Sequence, residues 1–302
     1  MIPQFPKFKK LALSDKKQVE KFTDGFPPYS DFNFTSMWCW DTDGTIEISQ
    51  LSDNLVVRFL DYITDDPFYS FIGLKETTMT ARLLVQFSRD AGYGETLKLI
   101  PDVVAKTIDS NALKVQEDQD HFDYLYPIEK LCHYDGNKLR AKRNFSNRFK
   151  KKYTATVKII DYRELNIRAE IMKLFHAWAT NKKLHPREIK NEHEALLRFL
   201  SFENSGTMIT TGIFIQDRLI AFSPNELLSG KYAVMHFEKA DDTYVGIYAY
   251  LMEENAKILM RNGVKYLNFE QDLGLAGLRL SKKSFYPIGF LKKYRISPLS
   301  TG

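Results

Sequence analysis

The chain has 302 residues, of which 44% are hydrophobic, 14% aromatic and 27% charged. This composition excludes a disordered segment, and at roughly 100–200 residues per domain it predicts two globular domains. No apolar run approaches the ~20 residues that cross a bilayer, and no charged segment followed by an apolar one marks a leader. Two cysteines far apart argue against a disulfide scaffold, so the expected setting is the reduced cytoplasm. The net charge is +5, and residues 136–158 carry most of the imbalance.

In chain order, Ser14 predicts a capped helix to about Phe22, ended by the turn-forming stretch 25–28. An aromatic segment, 31–40, suggests a short helix. Residues 46–50 and 55–61 read as a strand pair around Ser52, and 68–73 as a further strand. Met79, Leu83, Leu84 and Phe87 have helical spacing in 75–91, which Gly92 and Gly94 end. A strand at 96–100, a short helix at 102–110 and a β-rich run at 122–126 follow. Beyond the middle, a strand at 156–161 leads to helices at 167–181 and 186–202. Antiparallel strands are expected at 208–215, 219–227 and 232–238, turning at Gln216-Asp217 and Ser229-Gly230. A helix at 246–261 stops at Asn262-Gly263, and a strand at 264–271, a short helix near 274–280 and a strand at 290–296 complete the chain.

Both halves contain a strand, a long helix, a glycine stop and a second strand, at 68–100 and again at 232–271. Antiparallel strands leading into such a crossover resemble the acyltransferase superfamily of histone and aminoglycoside N-acetyltransferases. The expected fold class is therefore α/β (α+β), with two tandem GNAT-like domains and mixed, mostly antiparallel sheets. The expected boundaries are 1–135, a basic connecting helix at 136–155, and 156–302 carrying the site.

No dinucleotide, Walker, nucleophile-elbow or paired-cysteine motif is present, and the six histidines lack metal-ligand spacing, so no metal is expected. The pyrophosphate loop of acetyl-CoA enzymes should lie between Glu238 and Ile247. That stretch has Gly246 as its one glycine and two acids, Asp241 and Asp242, which oppose an anion; no cofactor is expected.

Residues 137–153 read NKLRAKRNFSNRFKKKY, with eight Lys or Arg and no acid. As a helix, Ala141, Phe145, Phe149 and Tyr153 form a stripe that would dock on the protein. Arg140, Arg143, Lys150 and Lys151 point away, and with Lys142 and Arg148 make the candidate nucleic-acid-binding set. The plain alternative is a solvated connecting helix.

Alternation places His236 and Glu238 on one face of the strand at 232–238, and Asn268, Glu270 and Asp272 on one face of the strand at 264–272. A parallel strand buried on both faces should be apolar, so these polar groups need partners or a task. His236, Glu238, Lys239, Glu270 and Asp272 are the candidate catalytic residues. Asn268, Arg279, Lys282 and Lys283 are the candidate ligand-binding residues, two glycines nearby letting the backbone turn closely. A structural ion-pair network is the alternative.

Pro28-Tyr29-Ser30-Asp31-Phe32-Asn33-Phe34 resembles the DUF2156 family, named for the C-terminal domain of phosphatidylglycerol lysyltransferase. So do Lys142-Arg143-Asn144 with Asn147 and Phe149, and Asn268-Phe269-Glu270-Gln271-Asp272-Leu273-Gly274 with Gly277-Leu278-Arg279. The resemblance covers nearly the whole chain, and the last motif is its most specific part. It implies a fold similar to the Fem peptidyltransferases, and aminoacyl-tRNA as the donor of an aminoacyl group. The membrane relatives carry an acidic-x-x-basic stretch before the long helix. Its counterpart here is His236-Phe237-Glu238-Lys239, with histidine for the acid and lysine for the arginine.

The leading expectation is an aminoacyltransferase acting on a hydroxyl or amine, the acceptor being a small molecule or a lipid. Glu238 or His236 would be the base, and Lys239 or Arg279 would stabilise the oxyanion. An N-acyltransferase with another acyl donor and a non-catalytic binding module stay open.

Overall fold

The computed structural model describes residues 1–182, 186–202 and 206–299. The chain divides into two compact units. One comprises Met1–Asp123, Gln271–Leu275 and Leu291–Gly302, the other Tyr124–Glu270 and Ala276–Phe290. The fold is mixed α/β with antiparallel-dominated sheets.

The first unit runs β1 (Lys9–Lys10), α1 (Lys16–Thr23), α2 (Phe34–Trp40), β2 (Glu47–Leu51), β3 (Asn54–Leu60), β4 (Pro67–Ile72), α3 (Thr77–Asp90), β5 (Leu97–Pro101), α4 (Asp102–Ala105) and β6 (Leu113–Glu117). Strands β1 to β4 pair antiparallel in chain order. Ser52 and Asp53 turn β2 into β3 with φ of +48° and +62°. Two successive left-handed residues match the twist of the strands they join. Asn33 caps α2, its side-chain oxygen accepting from Ser36 N at 2.9 Å. Ser14, the expected cap, lies inside a short 3-10 turn, where the Asp15 carboxylate takes the Ala12 N–H at 3.0 Å. The buried face of α3 is Thr80, Ala81, Leu84 and Ser88, while Met79 and Leu83 of the expected stripe are exposed.

The second unit runs β7 (Asp123–Pro127), α5 (Ile128–His133), α6 (Arg140–Lys152), β8 (Thr156–Ile160), α7 (Leu165–Lys182), α8 (Pro186–Leu200), β9 (Met208–Ile215), β10 (Arg218–Leu227), β11 (Tyr232–Met235), β12 (Lys239–Ala240), α9 (Ile247–Arg261), β13 (Tyr266–Asn268), α10 (Ala276–Lys283) and β14 (Gly289–Leu291). Its strands lie in the order β14-β7-β13-β11-β10-β9-β8, with β12 also on β10. The β11–β13 pair is parallel, while β7–β13, β10–β11, β9–β10 and β8–β9 are antiparallel. The order β4–α3–β5 of the first unit recurs here as β11–α9–β13. The final strand, β15 (Lys293–Pro298), pairs with β5 and β6 in the first unit.

Helix α9 is pinned by polar as well as apolar contacts. Fully buried Asn255 accepts from Thr211 Oγ1 at 2.7 Å and Asn225 Nδ2 at 2.8 Å, and donates to Asn225 Oδ1 at 3.0 Å. These bonds tie α9 to β9 and β10. The change Asn255→Ala orphans two buried groups and is expected to cost about 2–3 kcal/mol in urea unfolding. A loss within experimental error would remove any stabilising role for the network.

In the first unit Lys293 is wholly buried among acids. Its Nζ donates to Asp123 Oδ1 at 2.7 Å and Ser30 Oγ at 3.1 Å and pairs with Asp31. Burial pulls the ammonium down, but Asp123 and Asp31 outweigh it and hold Lys293 charged. Gln271 Nε2 reaches Asp31 Oδ1 at 3.1 Å. Ser30, Asp31 and Gln271, all motif residues, thus belong to one buried polar cluster.

Candidate functional site

Strands β11 and β13 pair through Tyr232↔Tyr266, Ala233↔Leu267 and Val234↔Asn268, and then part. Past Met235 the chain stays with β10: His236 N donates to Pro224 O at 3.1 Å, and Lys239 pairs with Phe222. The other strand leaves towards β7, Phe269 N donating to Tyr124 O at 3.0 Å. Asn268 Oδ1 accepts from Glu270 N at 2.7 Å, closing a local turn in which Glu270 has φ +53°. The candidate polar groups therefore stand at a splay between parallel strands.

His236 is buried between two carboxylates. Its Nε2 is 3.4 Å from Glu226 Oε2 and its Nδ1 is 3.7 Å from Glu270 Oε1. Burial alone would lower its pKa, but the two carboxylates outweigh burial and raise it to about 9. At neutral pH His236 is an imidazolium. Glu226 escaped the sequence reading, although a Pro-Asn-Glu run in an otherwise apolar strand was a visible signal.

Glu238 differs in kind. The residue is half-buried, yet its Oε1 is out of solvent and has no hydrogen-bond partner among the described residues. Burial raises the carboxyl to about 7, against the opposing pull of Lys142, Lys282, Lys239 and Lys182. Tyr134 and Tyr248 both feel its charge, although burial is the larger cause of their raised pKa values. Lys142 projects inward from α6, with Nζ 3.7 Å from the Phe285 ring centroid. Burial lowers its pKa while Glu238 opposes the shift. Lys282, also buried, donates from Nζ to Phe269 O, the carbonyl at the parting of the strands.

The remaining candidates are placed elsewhere. Lys239 alternates to the other side, where it bonds Glu192 Oε2 at 2.7 Å and stacks 3.7 Å from the Trp178 ring centroid. Asp272 lies in the first unit, buried, with Oδ1 accepting from Gly274 N at 2.9 Å. Arg279 is half-buried on α10 and Lys283 is exposed. Among the described residues, no group of three or more His, Cys, Asp or Glu side chains could hold a metal ion.

Helix α6 docks through only the C-terminal half of the expected stripe, Phe149 being fully buried with Tyr153 packed against its cluster. Ser146 and Phe149 are buried, while Ala141 and Phe145 are exposed. Ser146 Oγ donates to Glu253 Oε2 at 2.5 Å, and Lys150 Nζ reaches Glu253 Oε1 at 2.6 Å. Arg143 donates to Tyr134 O at 2.6 Å. Of the candidate basic set, Lys142, Arg143 and Lys150 are thus engaged with the protein, whereas Arg140, Arg148 and Lys151 face solvent. Arg148, Lys151, Lys152, Asn144 and Asn147 border an open depression of about 560 Å³.

At the start of α9 a smaller cavity, about 200 Å³, is lined by Lys142, Asp242, Tyr244, Gly246 and Tyr248. Gly246 has φ +90°, and a Cβ there would overlap the Phe145 carbonyl oxygen. Only glycine lets α6 close over the N-terminus of α9.

The family model described as phosphatidylglycerol lysyltransferase, C-terminal, matches residues 25–297. A conserved protein of unknown function from Bacteroides thetaiotaomicron has a similar structure, with TM-score 0.81 at 23% identity, covering 99% of this chain and 100% of its own. L-PGS from Bacillus licheniformis superposes with TM-score 0.64 at 12% identity, covering 100% and 95%. FemX follows with TM-score 0.56 at 9% identity, covering 96% of each chain. No curated protein matches the chain. Among the described residues no helix is long and apolar enough to cross a membrane.

Proposed function

The chain belongs to the phosphatidylglycerol lysyltransferase C-terminal family, and on that premise we propose that it moves an aminoacyl group from aminoacyl-tRNA to a hydroxyl or amine acceptor. Glu238 carries the reading: a carboxyl at the splay, shielded and unpartnered at Oε1, with its pKa raised to about 7. A base poised near neutrality combines the correct protonation state with useful proton affinity. Glu238 takes the acceptor's proton as the acceptor attacks the ester carbonyl. The oxyanion of the tetrahedral intermediate is stabilised by the Lys142 ammonium, and collapse expels the ribose hydroxyl, which takes the proton back from Glu238. His236, charged between Glu226 and Glu270, positions the strands and is not the base. Lys239, bonded to Glu192, holds α8 to β12.

The donor's phosphates would lie along the outward face of α6. The triple change Arg140→Glu, Arg148→Glu and Lys151→Glu is expected to weaken tRNA binding and to lower the salt slope by roughly one per lost contact. Arg143 and Lys150 are poor test positions because each is bonded within the protein. A wild-type chain without salt-sensitive affinity for tRNA would leave α6 a solvated helix.

The decisive experiment offers a panel of charged tRNAs with hydroxyl and amine acceptors, and follows loss of the ester-linked aminoacyl group. Protein-dependent release, with the group recovered on the acceptor, supports transfer. Release at the protein-free rate from every charged tRNA and with every acceptor sinks the proposal.

A further inference from the structure

The cavity of about 200 Å³ at the start of α9 has a chemistry that the proton transfers leave unused. Lys142, assigned to the oxyanion, lines it, and so does Tyr248; both feel the charge of Glu238. The cavity therefore adjoins the reacting carbonyl, and the amino acid attached to that carbonyl is the group that reaches into it. Its walls are largely apolar. Phe145 is 49% exposed, an aromatic face that the fold itself does not cover. Tyr244 stands edge-on to Tyr153, with ring centroids 5.1 Å apart. Tyr248 Oη donates to Ala240 O at 3.5 Å, which leaves its ring as its contribution to the wall. Ile247 and Ala249 complete the lining.

Charge works against an ionised guest. Asp242, the acid of the lining, is already engaged: it accepts from Asn181 Nδ2 at 3.1 Å and stands 3.7 Å from Lys182 Nζ. The Tyr248 ring has the same ammonium 5.4 Å from its centroid. A lysyl side chain would thus bring a third ammonium, beside Lys142 and Lys182, to a place whose carboxylate and aromatic face are both taken. A cation confined there among like charges is disfavoured. A glutamyl side chain would meet Asp242 and Glu238, while Lys142 is already drawn to Glu238. An apolar side chain meets neither penalty and covers Phe145. The α-amine is common to every aminoacyl donor and does not discriminate among them.

We infer that this cavity selects a donor whose aminoacyl side chain is uncharged and apolar, of the leucyl or phenylalanyl kind, and disfavours the lysyl group of the family's name. The inference rests on the proposed transfer and adds the class of group that is moved. The test is single-turnover transfer by the full chain from leucyl-, phenylalanyl-, lysyl- and glutamyl-tRNA to one hydroxyl and one amine acceptor. The apolar donors are expected to exceed the charged ones about tenfold or more. Lys182→Met, outside the reacting groups, frees Asp242 and should raise the lysyl-to-leucyl ratio about threefold or more. An independent readout titrates leucinamide and lysinamide against the chain and follows the Tyr244 and Tyr248 rings by NMR. Leucinamide should shift them at the lower concentration.

Lysyl or glutamyl transfer at or above the leucyl rate overturns the inference and leaves the transfer itself standing. A lysyl-to-leucyl ratio that Lys182→Met does not move overturns it as well, since the paired Asp242 is what closes the cavity to a cation. If no charged tRNA reacts, the transfer reading falls and the amides decide. Selective leucinamide binding then supports the cavity's preference, and an equal response or none overturns it.

Discussion

Replacing Glu238 with glutamine is expected to lower aminoacyl transfer by about 10²–10⁴-fold, the usual contribution of a positioned general base. The same change should raise stability above neutral pH. Glutamine keeps the shape of the side chain but cannot take a proton. The stability sign follows from the carboxyl's pKa, which is raised from 4.5 to about 7 in the folded chain. Below pH 4.5 folded and unfolded chains are both protonated and the group contributes nothing. Between pH 4.5 and about 7 the unfolded chain ionises while the folded chain stays protonated, so wild-type stability falls across that window and levels off above it. Removing the carboxyl should recover about 1–3 kcal/mol above pH 7, allowing for partial exposure, and nothing below pH 4.5. Urea melts at both ends of the window, run beside single-turnover transfer, check the two halves separately. Unchanged transfer ends the base assignment, while a stability loss above neutrality would mean that the carboxylate is paired. The wild-type transfer rate should rise with pH through about 7, as a base that must be deprotonated requires.

Local signals were the most legible part of the fold. Gln216 and Asp217 form the expected turn with φ of +49° and +63°, and Asn262-Gly263 ends α9 with Gly263 at φ +81°. The strand–helix–strand order was readable because strong periodicity needs no long-range information. What failed was long-range or polar. Strand β6 was missed: its partner β15 lies far along the sequence, and only Leu113 in it is buried. The docking of α6 was legible only in part, because hydrophobic spacing also selected Phe145. Its buried side joins Phe149 of the expected stripe to Ser146 and the half-buried Lys142, with Glu253 and Phe285 of other elements as their partners. Such a face looks mostly polar in sequence and acts as an interior. Alternation brings His236, Glu238 and Glu270 out as polar groups in this region, but the charge around Glu238 depends on Lys142, whose inward turn no spacing reveals. Asp272 followed the same alternation, yet the turn begun at Glu270 carries it into the first unit.

Glu226→Gln is expected to destabilise the chain by about 3 kcal/mol at neutral pH, while transfer per folded molecule changes only slightly. Glu226 is among the buried polar residues and stands 3.4 Å from His236, whose other nitrogen faces Glu270 at 3.7 Å. Removing one carboxylate leaves a buried imidazolium half-compensated, and it then loses its proton or pulls in water. The pH dependence separates this from ordinary packing damage. In the folded wild type His236 titrates at about 9 rather than 6.5. A raised histidine pKa contributes stability that is fully present below pH 6.5 and lost as pH rises through 9. The shift corresponds to on the order of 3 kcal/mol. Wild type should therefore lose that much between those limits through this group, over and above the Glu238 effect at lower pH. In Glu226→Gln the slope between pH 6.5 and 9 should shrink, and in Glu226→Gln with Glu270→Gln it should vanish. Glu270 alone should matter less, because its side chain is 18% exposed and water can replace part of what the carboxylate supplies. A titration of the His236 ring followed by NMR gives the direct measurement. A midpoint near 6.5 in the wild-type chain would show that the two carboxylates do not hold the proton, and the splay would then need another support.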